Sequence, residues 1–86
     1  MDINVLFDQA VLDSKNLSEK PSNDILLQLY AFFKQASEGD INIEEPSNPF
    51  DFVAKAKFSA WEELKGKSSG EAKQAYIDLI KTLQAK

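Results

Sequence analysis

The sequence of 86 residues contains no cysteine, no histidine and no arginine. Without cysteine it can form no disulfide and offers no thiolate nucleophile; without histidine it lacks the commonest general base and the usual zinc ligands. Its three glycines, at 39, 66 and 70, all fall where helix ends or turns are expected, and none belongs to a phosphate-cradling loop. No stretch approaches the ~20 apolar residues of a membrane span. The start "MDINVLFDQA" has neither the basic n-region nor the apolar run of a secretory signal. The adjacent carboxylates Glu44–Glu45 and Glu62–Glu63 do not converge on one point of a helix and read as solvated surface. "DINIEE" lacks the alternating carboxylates and central glycine of a calcium loop. The expectation is a cytoplasmic protein that is not an enzyme and carries no metal or cofactor.

The charge that is present is unevenly spread. Fourteen acidic residues against ten lysines give a net charge of −4, which disfavours nucleic acid as a partner. Residues 1–52 hold ten acids and three lysines, whereas residues 53–86 hold seven lysines and four acids. An anionic ligand is therefore steered toward the second half, or toward isolated lysines facing it. Lysine meets phosphate as a point charge rather than as a bidentate fork.

Four segments have helical periodicity, which makes the chain one small all-α domain spanning residues 1–86. Ile3, Phe7, Ala10, Val11 and Ser14 mark the first segment, over 3–16. Pro21 interrupts the pattern, and Ser22 as N-cap with Asp24 in the first turn predicts a second helix over 23–37 that stops at Gly39. Residues 39–50, "GDINIEEPSNPF", have no regular period and form a long connection. A third helix is predicted over 51–65, with Val53, Ala56, Lys57, Ala60, Trp61 and Leu64 at core spacing and Gly66 at its end. Ser68 and Glu71 form a capping-box pattern for a fourth, whose stripe is Ala72, Ala75, Tyr76, Leu79, Ile80 and Leu83.

Polar residues sit on several of these apolar faces. Tyr30 and Lys34 are four apart and share a face with Phe33, Lys57 lies on the third stripe, and Tyr76 on the fourth. Periodicity alone leaves two readings open. In one, the aromatics are core residues with wet hydroxyls beside snorkelling lysines; in the other, they form a groove with an apolar floor ending in cations and phenols, suited to an anion with an apolar body. A helical interaction module that accepts a partner helix in the groove is a third possibility.

At these residues the sequence resembles the acyl-CoA-binding protein family. "LLQLYAFFKQASEGDIN" is similar to that family's LYxxYKQAxxGDxN signature, and "KAKFSAWEELKGKSSGEAKQAYIDLI" to its KAKWxAWxxLKGxSxxxAxxxYIxxV segment. "FDQAV" and "KPSNDILLQLY" extend the likeness, so that it runs from Phe7 to Leu83. The resemblance implies an up-down-down-up four-helix bundle, with a long crossover between helices two and three. It also implies reversible, non-covalent binding of medium- to long-chain acyl-CoA by an intracellular carrier and pool former. Such a carrier is expected to be a monomer in transient contact with acyl-CoA-using enzymes, without stable membrane insertion.

Carried over residue by residue, the family pattern puts Lys15, Tyr30, Phe33, Lys34, Lys57 and Tyr76 at the CoA head group. It puts Val11, Ser14, Leu26 and Leu27 along the acyl groove. The chain departs from the pattern at four places. Phe33 replaces a tyrosine, keeping a stacking surface but losing a hydroxyl. Phe58 replaces the tryptophan of KAKW, and Val53 stands where many relatives have lysine. The stretch "EEPSNPFDF" makes the crossover one residue longer than usual. These departures imply weaker binding than in a fully matching member.

Overall fold

Each helix begins at a side chain that accepts a hydrogen bond from its first turn. The computed structural model describes residues 2–85; Met1 and Lys86, the two ends of the expected domain, lie outside the described residues. Helix α1 spans Ile3–Ser14, α2 Asn23–Glu38, α3 Phe52–Glu62 and α4 Ser69–Gln84. Their N-caps are Asp2, Ser22, Asp51 and Ser68. The fourth is a full capping box: the Glu71 amide donates to Ser68 Oγ at 3.1 Å, and the Ser68 amide donates to Glu71 Oε1 at 3.3 Å. Gly39 ends α2 with φ 81°, a left-handed conformation that strongly favours glycine.

The third helix is shorter than its expected 51–65. After Glu62 the chain tightens into turns, with the Leu64 amide bonded to the Trp61 carbonyl and that of Lys65 to Glu62. Gly66, at φ 93°, then turns the chain toward α4.

Side-chain pairs fix how the helices run. Leu26 and Leu27 of α2 share a recess with Phe52 and Val53 of α3, Tyr30 meets Lys57, and Gln35 bonds Trp61. Sequence numbers rise together, so α2 and α3 are parallel. Against α4 they run oppositely, from Ala36–Ser69 through Phe33–Tyr76 to Ile25–Leu83. Helix α1 is parallel to α4, from Asn4–Lys73 through Phe7–Tyr76 to Asp13–Lys81. The order is therefore up-down-down-up. Helices α2 and α4 pack at the centre, with α1 against α4 and α3 against α2. Among the described residues no helix is long and apolar enough to cross a membrane.

The main core joins Phe7 and Ala10 of α1, Leu29 and Ala36 of α2, and Ala72, Tyr76, Ile77 and Ile80 of α4. Ile77, absent from the expected stripe, is buried because α4 packs against both α1 and α2 and so covers a wider arc. The core spacing read along α3 holds for Trp61 but not for Val53, which is 65% exposed. Helix α3 packs on α2 alone, and an apolar recess lies between the N-terminal halves of the two.

A polar clamp ties α2 to α3 at the other end. Trp61 Nε1 donates to Gln35 Oε1 at 3.1 Å and to the Gly39 carbonyl at 3.0 Å. Gln35 Nε2 donates to Asp40 Oδ1 and to the Lys67 carbonyl, both at 2.8 Å, and the Gly66 amide also donates to Asp40 Oδ1 at 2.8 Å. Gln35 and Trp61 are completely buried, so their side-chain polar atoms depend on these bonds in place of water, whereas the Gly66–Asp40 bond lies at the exposed edge of the clamp. The Gly66 amide, and then Gln35, hold the Asp40 carboxyl below its ordinary range; the Ser68 hydroxyl, then its amide, do the same for Glu71. A depressed folded-state pKa stabilises the fold above the unfolded value, and that contribution is lost as pH falls through the folded value. Asp40→Asn should therefore lower the melting temperature at neutral pH. The gap to wild type should close as pH drops below the ordinary carboxylate range, as read by circular dichroism melts across that window.

Candidate functional site

Two shallow recesses open along α2. The first, of ≈ 250 Å³, is lined by Ser14 of α1, Pro21 of the following loop, Leu26, Leu29, Tyr30 and Phe33 of α2, and Tyr76 of α4. The second, of ≈ 380 Å³, lies between the N-terminal halves of α2 and α3 and is lined by Asn23, Leu26, Leu27, Phe52, Val53, Ala56 and Lys57. Leu26 belongs to both, so the recesses adjoin. Spacings of four and three along α2 put Leu26, Tyr30 and Phe33 on one face, which explains why a single helix supplies most of the first wall.

The wall is stiffened by an aromatic cluster. Phe7 meets Tyr76 edge-on at 5.2 Å and stacks on Phe33 at 5.9 Å, while Phe33 and Tyr76 stand 6.5 Å apart. These separations lie in the favourable range for aromatic pairs, each worth ~0.5–1.5 kcal/mol beyond area burial. Tyr76 is buried by this packing, whereas Phe33 remains 39% exposed and presents its ring to the recess. Lys73 of α4 caps the far side, with its ammonium 5.9 Å from the Phe7 ring and donating to Asn4 Oδ1.

Two lysines stand at the α2–α3 seam. Lys57 Nζ lies 5.3 Å from the Tyr30 ring centroid and lines the second recess. Lys34 Nζ lies 5.2 Å from the buried Trp61 ring and pairs with Glu38 one turn along the helix. The hydrogen bond to Glu38 raises the Lys34 ammonium above the ordinary lysine range, against a smaller opposing effect of burial. Both cations thus sit near aromatic faces.

The structure brings together seven of the ten expected site residues. Ser14, Tyr30, Phe33 and Tyr76 share the first recess, Leu27 and Lys57 the second, and Leu26 both. Lys34 stands beside the seam and lines neither recess. Val11 is half-buried against the main core rather than on the wall. Lys15 is exposed at the C-cap of α1, immediately after Ser14. Sequence reasoning missed Pro21, Leu29, Asn23, Phe52 and Ala56 as lining residues, and it placed Val53 in the core. Asn23, Phe52, Val53 and Ala56 are revealed only by the recess between α2 and α3, and Pro21 and Leu29 only by the recess between α1, α2 and α4. The third aromatic of the cluster, Phe7, was within reach because it opens the "FDQAV" motif.

The arrangement offers an apolar channel with aromatic and cationic edges. Ser14 Oγ donates to the Val11 carbonyl at 2.6 Å, and no carboxylate lines either recess to act as its base. Among the described residues no group of three or more carboxylate, thiol or imidazole side chains is placed to hold a metal.

Comparison with known proteins supplies the relationship. The family model described as acyl CoA binding protein matches residues 4–80. The acyl-CoA-binding protein homolog 1 of Caenorhabditis elegans is 48% identical over 80 residues, covering 93% of this chain and 92% of its own. The acyl-CoA-binding protein of Saccharomyces cerevisiae is 43% identical over 84 residues, covering 98% and 95%. Among solved structures, the crystal structure of acyl-CoA-binding protein 2 from Oryza sativa superposes with a TM-score of 0.90 at 31% identity, over 98% of this chain and 92% of that one. The solution structure of the Babesia bovis acyl CoA binding protein gives 0.82 at 37% identity, over 99% and 96%.

The two aromatics of the wall should separate by experiment. Tyr76→Ala empties a buried site and should cost ~3–5 kcal/mol in urea unfolding. Phe33→Ala removes a half-open ring and should cost ~1–2 kcal/mol, little more than its aromatic pair. Equal losses would mean that Phe33 is a core residue and not a recess wall.

Proposed function

The chain belongs to the acyl-CoA-binding protein family, and from that premise we propose that it binds acyl-CoA thioesters reversibly and non-covalently and acts as their carrier. The family is one of binding and carrier proteins, and the partner-helix reading of the groove is not favoured. The observation that carries the proposal is the continuity of the two recesses through Leu26, with an aromatic wall at one side and Lys57 at the seam. A medium- to long-chain acyl group occupies the apolar stretch along Leu26 and Leu27, with Ser14 on the α1 side; Val11, packed against the core, supports that helix rather than touching the chain. The CoA head group lies toward Tyr30, Phe33 and Tyr76, where Lys34 and Lys57 meet its ribose phosphate and Lys15 stands beside the nucleotide. Residues 1–86 then act as a single acyl-CoA-binding domain, monomeric and cytoplasmic, passing its ligand by transient contact with acyl-CoA-using enzymes.

The magnitudes fit such a division of labour. Burying one methylene stabilises by ~0.8 kcal/mol, so a chain of ~15 methylenes offers ~12 kcal/mol gross if fully covered. Immobilising the ligand and ordering its chain oppose this by ~4–15 kcal/mol. The tail alone is therefore insufficient for tight binding, and the head group decides. Charge-assisted bonds from the two lysines contribute ~1.5–3 kcal/mol each, and adenine stacking on an aromatic face ~1–3 kcal/mol. Phe33 supplies the stacking surface without a hydroxyl, so one polar contact of the family pattern is missing here.

Titration calorimetry with a long-chain acyl-CoA, controlled by the free fatty acid and free CoA, tests the proposal. Saturable one-to-one binding is expected for the thioester, and far weaker binding for either half; a flat trace for the thioester would defeat it. Lys34→Ala and Lys57→Ala should each weaken binding about tenfold or more with the melting temperature nearly unchanged. Raising salt should weaken binding moderately. Normal binding by both variants would show that the head group lies elsewhere.

A further inference from the structure

Lys34 and Glu38 form the one ion pair found among the described residues, and helix stability does not account for it. An acid in the last turn opposes the helix dipole, and a lysine four residues before a glutamate is the weaker of the two orientations for such a pair. Glu38 is the final residue of α2, directly before Gly39. The neighbouring acid Asp40 is committed elsewhere, to Gln35 and the Gly66 amide. What Glu38 does do is engage the one lysine of α2, whose ammonium lies 5.2 Å from the Trp61 ring centroid. The two side chains are 27% and 39% exposed, so an anion arriving from solvent reaches the same ammonium.

We propose that Glu38 is an internal competitor for the ligand's phosphate: it occupies Lys34 in the empty protein and lowers acyl-CoA affinity. The inference rests on the reading of Lys34 as a head-group cation. Binding then becomes an exchange, in which Lys34 leaves a carboxylate of charge −1 for a phosphomonoester of about −1.5 to −2. The exchange favours the phosphate but yields less than an unpaired lysine would. The displaced carboxylate stays within one helical turn, where it repels the incoming anion. Glu38 thus sets how firmly the head group is held.

The test is a double-mutant cycle on Lys34 and Glu38, read by titration calorimetry with a long-chain acyl-CoA and with its 3′-dephospho analogue. Glu38→Gln keeps the length and helix propensity of the side chain, and circular dichroism should show an unchanged fold. Its Kd for the acyl-CoA should fall roughly two- to threefold, the scale of an exposed ion pair with a nearby like charge. Its Kd for the dephospho analogue should not change, and in the Lys34→Ala background Glu38→Gln should have no effect. An equal gain for both ligands, or a gain that persists without Lys34, would reveal only a general loss of negative charge and overturn the proposal. If Lys34→Ala weakens binding while Glu38→Gln leaves it unchanged, the competitor role is wrong and the head-group reading survives. If Lys34→Ala binds like wild type, both fall together.

Discussion

A parallel pair of adjacent helices cannot be joined by a tight turn, and the rest of this molecule follows from that constraint. Helix α2 is 16 residues long, about 24 Å at ~1.5 Å per residue, and the chain must travel back along it before α3 can begin. Residues 40–51 do so without forming a helix or a strand. The returning segment cannot template α3 against α2 as a hairpin would, so alignment has to be imposed by side chains. The Gln35–Trp61–Asp40 clamp imposes it at the C-terminal ends only. Toward their N-terminal ends the larger recess lies between the two helices.

The same asymmetry sorts the polar from the apolar. Near the clamp, Gln35 and Trp61 are fully buried and the bond between them is shielded from water, which gives it a high cost of breaking. Away from it Leu26, Phe52 and Val53 are exposed although all are large and apolar. Exposed apolar side chains around a concavity cost stability unless something covers them, and an apolar ligand does so. The cations sit between the two regimes, over Tyr30 and Trp61. An aromatic face orients an ammonium without neutralising it, so the Lys57 charge remains available to an anion, while that of Lys34 is shared with Glu38.

Much of the architecture was legible in the sequence, because caps and periodicity are local. Ser22, Gly39 and the Ser68–Glu71 box are where the residue types predicted, since each acts within a few residues of itself. The end of α3 was misjudged because nothing in "ELKGK" before Gly66 forbids a helix; the turn is set by Asp40, 26 residues earlier, accepting from the Gly66 amide. Val53 was misread for a related reason. Its spacing is that of a core residue, but spacing cannot show that only one face of one neighbouring helix meets α3. The residues of the first recess were easier to find: Leu26, Tyr30 and Phe33 share a helix face, so periodicity and family pattern agreed. The second wall depends on two helices that meet across the crossover, and no local signal reports their separation.

A carrier has to release what it binds, and the form of these recesses bears on that requirement. A closed cavity would cover the acyl chain completely and approach the full transfer energy of its methylenes, but opening it would demand a conformational change before every exchange. Open recesses of 250 and 380 Å³ cover less, and they leave one side of the chain within reach of a second apolar surface. The lost burial lowers affinity without any gate. Head-group contacts then have to restore specificity, and they must do so with point charges on flexible stems rather than with fixed guanidinium forks, since the sequence has no arginine. Flexible cations lose more freedom on engagement, which again moderates affinity. The open groove, the lysine-only charge set and the carboxylate already paired with Lys34 therefore act in one direction, toward recognition that is specific for an anionic, apolar ligand and still readily reversed.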